Sequence, residues 1–304
     1  MKILISGGTG FIGTALMRSL LFDEHSVSIL SRNPQKSNLP SGVKVIGWDG
    51  QSTKGWLNEF ESVDAVVNLA GETVGRWPWN DARKQAILES RVKAGKVMTE
   101  AFQLAKRKPA ILIQSSGIGY YGPQGDQIVS EISPVGDDFM ANVASSWESS
   151  SASMDNIPGV RRIIIRTSLV LDSREGVLPL MALPVRMFVG GPLGNGRQGV
   201  SWIHIEDEVR AIRFLLQQET SQGAYNLTSP NPVSNAVFIR KLSQALGRPF
   251  WMPTPAFALK LTLGEMSTLL LDGQYVMPTR LIESGFKFKY ENVYEALHNL
   301  YPFQ

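Results

Sequence analysis

Cysteine is absent from the 304 residues, which excludes disulfides, thiolate metal centres, iron–sulfur clusters and a cysteine nucleophile. Histidine is scarce: His25, His204 and His298 are the only three. They stand too far apart for ligand spacing, so no zinc site is expected. Long apolar runs are missing too. No stretch approaches the ~18 consecutive apolar residues of a membrane-spanning helix, and no cleavable apolar region precedes the strand-like Lys2-Ile3-Leu4-Ile5-Ser6. These absences predict a cytoplasmic protein with no membrane partner. The net charge is only +3 and reads as spread along the chain, without a basic run interleaved with aromatics. No nucleic-acid partner is expected.

With 43% hydrophobic and 19% charged residues, the chain can build a large core and does not have a disordered composition. Short β-branched runs alternate with longer helical stretches, the pattern of a parallel sheet covered by helices. Strands are predicted near 2–6, 26–31, 43–48, 63–68, 109–115 and 160–171. Helices are predicted after Gly10 and near 80–105 and 138–154. The fold class is α/β, a doubly wound Rossmann sheet over residues 1–170. Beyond residue 171 Gly and Pro cluster, as in Gly190-Gly191-Pro192-Leu193-Gly194-Asn195-Gly196, and helices are predicted near 206–218, 234–246 and 256–270. Residues 171–304 read as a smaller substrate-binding lobe, some of whose segments return to the sheet.

The segment Ile5-Ser6-Gly7-Gly8-Thr9-Gly10-Phe11-Ile12-Gly13 follows a strand and opens a helix. Gly7 permits the tight turn, Gly10 lets backbone approach a pyrophosphate, and Gly13 allows helix to pack on strand. The N–H groups around Phe11 and Ile12 then face phosphate oxygens along the favourable dipole. Thr9 belongs to the same loop. At the end of the second strand an NAD site would present a carboxylate to the ribose 2′-hydroxyl. Here Ile29-Leu30-Ser31-Arg32-Asn33 contains no acid, and Arg32 with Ser31 offers donors suited to a 2′-phosphate. NADP is therefore expected over NAD.

Together with the glycine loop, Asn68-Leu69-Ala70-Gly71 and Ser115-Ser116-Gly117-Ile118-Gly119-Tyr120-Tyr121-Gly122 make the chain resemble an atypical, extended short-chain dehydrogenase/reductase. More narrowly it is similar to the epimerase-family group that includes the bacterial YfcH-type proteins, over essentially its whole length. Further matches are Glu89-Ser90-Arg91, Trp202-Ile203-His204-Ile205-Glu206-Asp207, Pro278-Thr279-Arg280 and Gly285-Phe286. The resemblance implies cofactor contacts from Leu69, Ala70, Gly71 and Val170, with Arg91 as a second cation near the adenosine end; a plain charge on the helix face is the competing role for Arg91. Glu206 and Asp207 are expected to cap a helix, with His204 structural beside them.

Such enzymes usually exchange a proton through a Tyr-x-x-x-Lys pair. No tyrosine in this sequence has a lysine four residues later. The resemblance puts the pair at Phe139 and Val143, neither of which titrates. The remaining polar groups at the end of the central strand are Ser115, Ser116, Tyr120 and Tyr121. Ser116 is the preferred match to the usual serine, with Gly117 the alternative by one residue. Tyr120 or Tyr121 serves as proton donor, or both orient the substrate. Asp126 and Glu131 are the acids near this loop, and Trp77, Trp79 and Trp202 either wall a cavity or fill the core. Two readings follow: an NADP-dependent oxidoreductase or epimerase-like enzyme for a small polar substrate, or a non-catalytic NADP-binding sensor or regulator. The partners expected are that substrate and, at most, a second copy of the chain.

Overall fold

The computed structural model describes residues 1–36 and 39–302. Seven strands form one parallel sheet: β1 (Lys2–Ser6), β2 (Ser26–Ser31), β3 (Lys44–Gly47), β4 (Ala65–Asn68), β5 (Ile111–Gly117), β6 (Arg161–Thr167) and β7 (Gly223–Leu227). Their spatial order is β7-β6-β5-β4-β1-β2-β3. Strand order reverses between β1 and β4, and the crevice above that pair is where an open α/β sheet receives its ligand.

Both faces of the sheet are covered, so successive strand residues serve different cores. Ile3 and Ile5 join Leu16, Met17 and Leu20 of the helix α1 (Phe11–Phe22). Leu4 points the other way, to Trp56, Phe60 and Phe102. Val66 and Val67 divide in the same manner, as a period of two requires. The long helix α2 (Asp81–Leu104) starts at Asn80, whose side chain accepts the Arg83 N–H, and α3 (Phe139–Ser149) starts at Asp138, which accepts from Ala141. Both are N-caps of the ordinary kind.

The boundaries of β1 and β2 match the sequence reading, while three expectations need correction. The run at 160–171 is two strands: after β6 the chain leaves the sheet at Ser168, and Leu169–Leu171 pairs with Trp202–His204. The helix expected over 138–154 ends at Ser149 and gives way to a 3-10 turn at Ala152–Asn156. The one expected over 256–270 breaks at Gly264, with φ +58°, into Ala256–Leu263, a short turn and Thr268–Leu271.

The C-terminal half also feeds the sheet. β7 pairs with β6 from Gly223↔Ile163 to Leu227↔Thr167. Helix α5 (Ile205–Gln217) supplies Ile212 and Leu215 to the core that contains α1. A separate core unites α4 (Leu178–Arg186), α6 (Asn235–Ala245) and α8 (Val293–Leu300); between the last two lies α7 (Ala256–Leu263). Trp202 is fully buried in this core, so it lines no substrate cavity. Among the described residues no helix is long and apolar enough to cross a membrane.

Candidate active site

The turn from β1 into α1 is built on two positions where a side chain has no room. Gly7 has φ +73°, and a Cβ on it would lie 2.7 Å from the Leu69 carbonyl oxygen. The backbone of Leu69 and Ala70, at the end of β4, therefore abuts the loop across the switch point. A Cβ on Gly13 would lie 2.3 Å from the Gly7 oxygen and 2.8 Å from Gly8 Cα. The turn itself closes through Gly10 N–H to the Gly7 oxygen at 3.0 Å.

Gly10 is the N-cap of α1, with no side-chain cap and no acid in the first turn. Its first N–H groups, at Phe11 and Ile12, stay open to an anion in a field that favours one. Thr9 is exposed beside them. Phe11 packs on the loop at Gly176, where a Cβ would stand 3.0 Å from the ring, so residues from the second half approach the cradle. Val170 is buried against that same core, and its strand residue pairs with Ile203.

Beneath the cradle runs a polar ladder. Ser6 donates to Asn68 Oδ1 (2.5 Å), Asn68 Nδ2 donates to Gln114 Oε1 (2.9 Å), and the Ala70 N–H reaches Asn68 Oδ1 at 3.3 Å. These bonds tie the ends of β1, β4 and β5 together and hold Asn68-Leu69-Ala70-Gly71 in place.

At the end of β2, Ser31 is buried and its Oγ accepts the Asn33 N–H at 3.1 Å. Arg32 is exposed and forms no hydrogen bond or ion pair among the described residues. Its charge, with that of Arg76, acts on Glu72, whose carboxyl the Arg83 hydrogen bond already holds below the usual range. Arg91 is differently employed. Its guanidinium donates to the carbonyls of Glu72 (2.9 Å) and Ile87 (3.0 Å) and lies over the Trp147 ring. Burial pulls its pKa down to about 10. A Cβ on Gly71 would press 3.2 Å from this side chain, so Arg91 fastens the loop after β4 onto α2.

The expected catalytic segment closes β5 and turns into a 3-10 helix at Ile118–Tyr121. Behind it lies a buried network that the sequence reading missed. Arg166 on β6 donates through Nε to Glu148 Oε1 (2.8 Å) and through Nη2 to Oε2 (2.9 Å), a bidentate pair. Ser116 donates to the same Glu148 oxygen at 2.7 Å. Arg166 Nη1 donates to the Tyr121 hydroxyl (3.0 Å), which donates in turn to Asn226 Oδ1 (2.7 Å) on β7.

Tyr121 is fully buried. Burial pushes its hydroxyl above the ordinary tyrosine range, against the opposing influence of the Arg166 charge. Tyr120 is placed otherwise: it is half-buried, and its ring lies 3.5 Å from the Arg166 guanidinium. Its hydroxyl makes no hydrogen bond among the described residues. Glu131 joins from below, accepting the N–H groups of Asn226 (3.0 Å) and Arg280 (3.3 Å), and burial raises its pKa. Asp126 stays exposed.

Phe139 packs its ring on Trp79, Val143 is buried in α3, and Trp77 is exposed. Glu206 and Asp207 do not cap α5 as expected. The cap is His204, whose Nδ1 accepts the Glu206 N–H. Asp207 instead accepts the N–H groups of Lys289 and Tyr290, and Glu206 takes the Lys289 ammonium. The acids are spent on anchoring the C-terminal segment.

The model of the NAD dependent epimerase/dehydratase family matches residues 3–228. The chain belongs to that family. A domain of unknown function, DUF1731, matches residues 254–300. Among family members named as epimerase family proteins, YfhF of Bacillus subtilis is 37% identical over 304 residues, covering 99% of this chain and 98% of its own. A Staphylococcus epidermidis relative is 36% identical over 300 residues, 98% of each chain. Of solved structures, the human epimerase family protein SDR39U1 with NADPH matches at a TM-score of 0.86 and 30% identity, covering 99% of both chains. The UDP-glucose 4-epimerase of Thermus thermophilus with NAD matches at 0.76 and 16% identity, a likeness of fold. Membership accounts for the cradle at the switch point as a nucleotide-cofactor site, and the glycines that a Cβ would jam are the residues that fit one.

Proposed function

We propose that this family member is an NADP-dependent oxidoreductase or epimerase-like enzyme acting on a small polar substrate. The observation that carries the reading is Arg32: a guanidinium without an ion pair, at the acid-free end of β2, beside a glycine cradle whose helix N-terminus has no competing acid. NADPH bound to the human relative supports it. Gly7, Thr9, Gly10 and Gly13 with the N–H groups of Phe11 and Ile12 would hold the pyrophosphate, and Leu69, Ala70 and Gly71 would flank the nucleotide. Ser31 and Arg32 would take the 2′-phosphate, Arg91 would brace the adenosine side, and Val170 would close the cleft by its backbone. When bound, the cofactor supplies the redox chemistry.

Of the three candidate catalytic residues, Tyr120 is the one whose hydroxyl is free to exchange a proton. Ser116 and Tyr121 spend theirs on Glu148 and Asn226 and set the Tyr120 ring against Arg166.

The test is a side-by-side titration with NADPH and NADH, repeated on Arg32→Ala. A charge-assisted contact is worth about 1.5 to 3 kcal/mol, so NADPH affinity should fall by about ten-fold or more with NADH unchanged. Equal loss for both cofactors, or none, would overturn the assignment of Arg32. Turnover found in a carbonyl-substrate screen should vanish in Tyr120→Phe with cofactor affinity intact. Full activity in that variant would remove Tyr120 from the chemistry.

A further inference from the structure

Charge is not evenly distributed along the chain, contrary to the sequence expectation. Residues 176–205 and 220–264 contain no aspartate or glutamate, yet carry Arg186, Arg197, Arg240, Lys241, Arg248 and Lys260. None of these six forms an ion pair among the described residues, though the Asp272 carboxylate acts on Lys260 at longer range. The same two segments hold large side chains turned to solvent. Leu180, Leu183 and Met187 follow one face of α4 and its end, and Phe188, Trp251 and Phe257 continue it; all six are more than half exposed.

Contacts show that the two segments run side by side. Trp251 Nε1 donates to the Phe188 carbonyl at 2.8 Å, and the Trp251 N–H reaches the Gly190 oxygen at 2.9 Å. The Arg248 guanidinium lies 4.7 Å from the Phe188 ring centre. Leu193 bridges to Thr254, at the threshold of α7. Helix α7, Ala-Phe-Ala-Leu-Lys-Leu-Thr-Leu, buries none of its residues, and Leu261 stands one turn from Phe257 on it. A helix whose only polar side chains are Lys260 and Thr262 and that buries none of its apolar ones ordinarily finds cover.

The charge selects the cover. A two-fold contact with a second copy would set this patch on itself and bring the cations beside it, Arg248 on the Phe188 ring, Arg240 on the Phe250 ring and Lys260 on α7, against their own copies. We infer that this face rests on an anionic lipid surface, with Trp251, Phe188 and the α4 leucines entering the headgroup boundary and the flanking arginines and lysines lying against lipid phosphates. Exposed apolar side chains interspersed with cations, in two segments that contain no acid of their own, are the composition of an interfacial contact. This replaces the expectation of no membrane partner with a peripheral one. It is independent of the cofactor reading.

Flotation of the full chain with vesicles of phosphatidylcholine alone, or mixed with phosphatidylglycerol, tests it. Binding should require phosphatidylglycerol and fade with added salt. Phe188→Ser/Trp251→Ser should weaken it by about ten-fold or more, and Arg186→Glu/Arg248→Glu should abolish it, with thermal unfolding and NADPH affinity unchanged because these side chains are exposed. Absence of binding at low salt, or binding undiminished in both double variants, would overturn the proposal. A concentration-dependent dimer that the serine variant returns to monomer, without lipid binding, would assign the face to self-association instead.

Discussion

Replacing Glu148 by Gln tests whether the buried network is a keystone of the sheet end. Arg166 and Glu148 expose only 6% and 11% of their side chains, and Glu148 accepts from two guanidinium nitrogens and from Ser116. The amide keeps the shape but removes the charge and turns a donor toward a donor. Removing one partner of a buried pair costs about 3 to 5 kcal/mol. For a chain of this length each kcal/mol lowers the midpoint by about 2 °C, so thermal unfolding followed by circular dichroism should drop by about 6 to 10 °C. The double change Glu148→Leu/Arg166→Met removes both charges and should recover most of the loss, because apolar replacement of a buried pair is often neutral. A single variant within about 1 kcal/mol of the parent in denaturant titration, the spread of ordinary neutral changes, would refute the reasoning. So would a double variant as unstable as the single.

Burial raises the pKa of Glu208 to about 8, opposed by a hydrogen bond from Thr167. The folded chain therefore holds a proton that the unfolded chain releases near ~4.3, and stability should decline as pH climbs from that value through about 8. Glu208→Gln should flatten the decline and gain a few kcal/mol, about, at the alkaline end; an unchanged slope of midpoint against pH would remove Glu208 as its source. Gly13→Ala must displace the Gly7 carbonyl and should weaken NADPH binding by about ten-fold or more, and an unaltered titration would mean the loop yields freely.

Elements governed by near neighbours were legible from residue types. The glycine loop, the limits of β1 and β2 and the acid-free end of β2 depend on local backbone room and on a period-two pattern, and both are written in adjacent residues. The break at Ser168 was not: Leu169–Leu171 has the same β-branched and apolar character as β6, and only its pairing with Trp202–His204 tells them apart. The acids at 206–207 carried the signature of a cap, but the C-terminal segment at 289–290 claimed them first. A lone arginine after three isoleucines was a signal for Arg166 that went unused.

The sequence alone determined the α/β class, the glycine cradle and the acid-free, arginine-bearing end of β2, because glycine conformation and a strand-end side chain act where they stand. Only the tertiary structure decided that Tyr121 is sealed while Tyr120 is free, and that Arg166, Glu148, Ser116 and Asn226 form one unit. Ser116, Arg166 and Asn226 meet through the register of β5, β6 and β7, from positions up to 110 residues apart, and Glu148 reaches them from α3. An ion pair has no periodicity to announce it, and its partners are fixed by how the strands align.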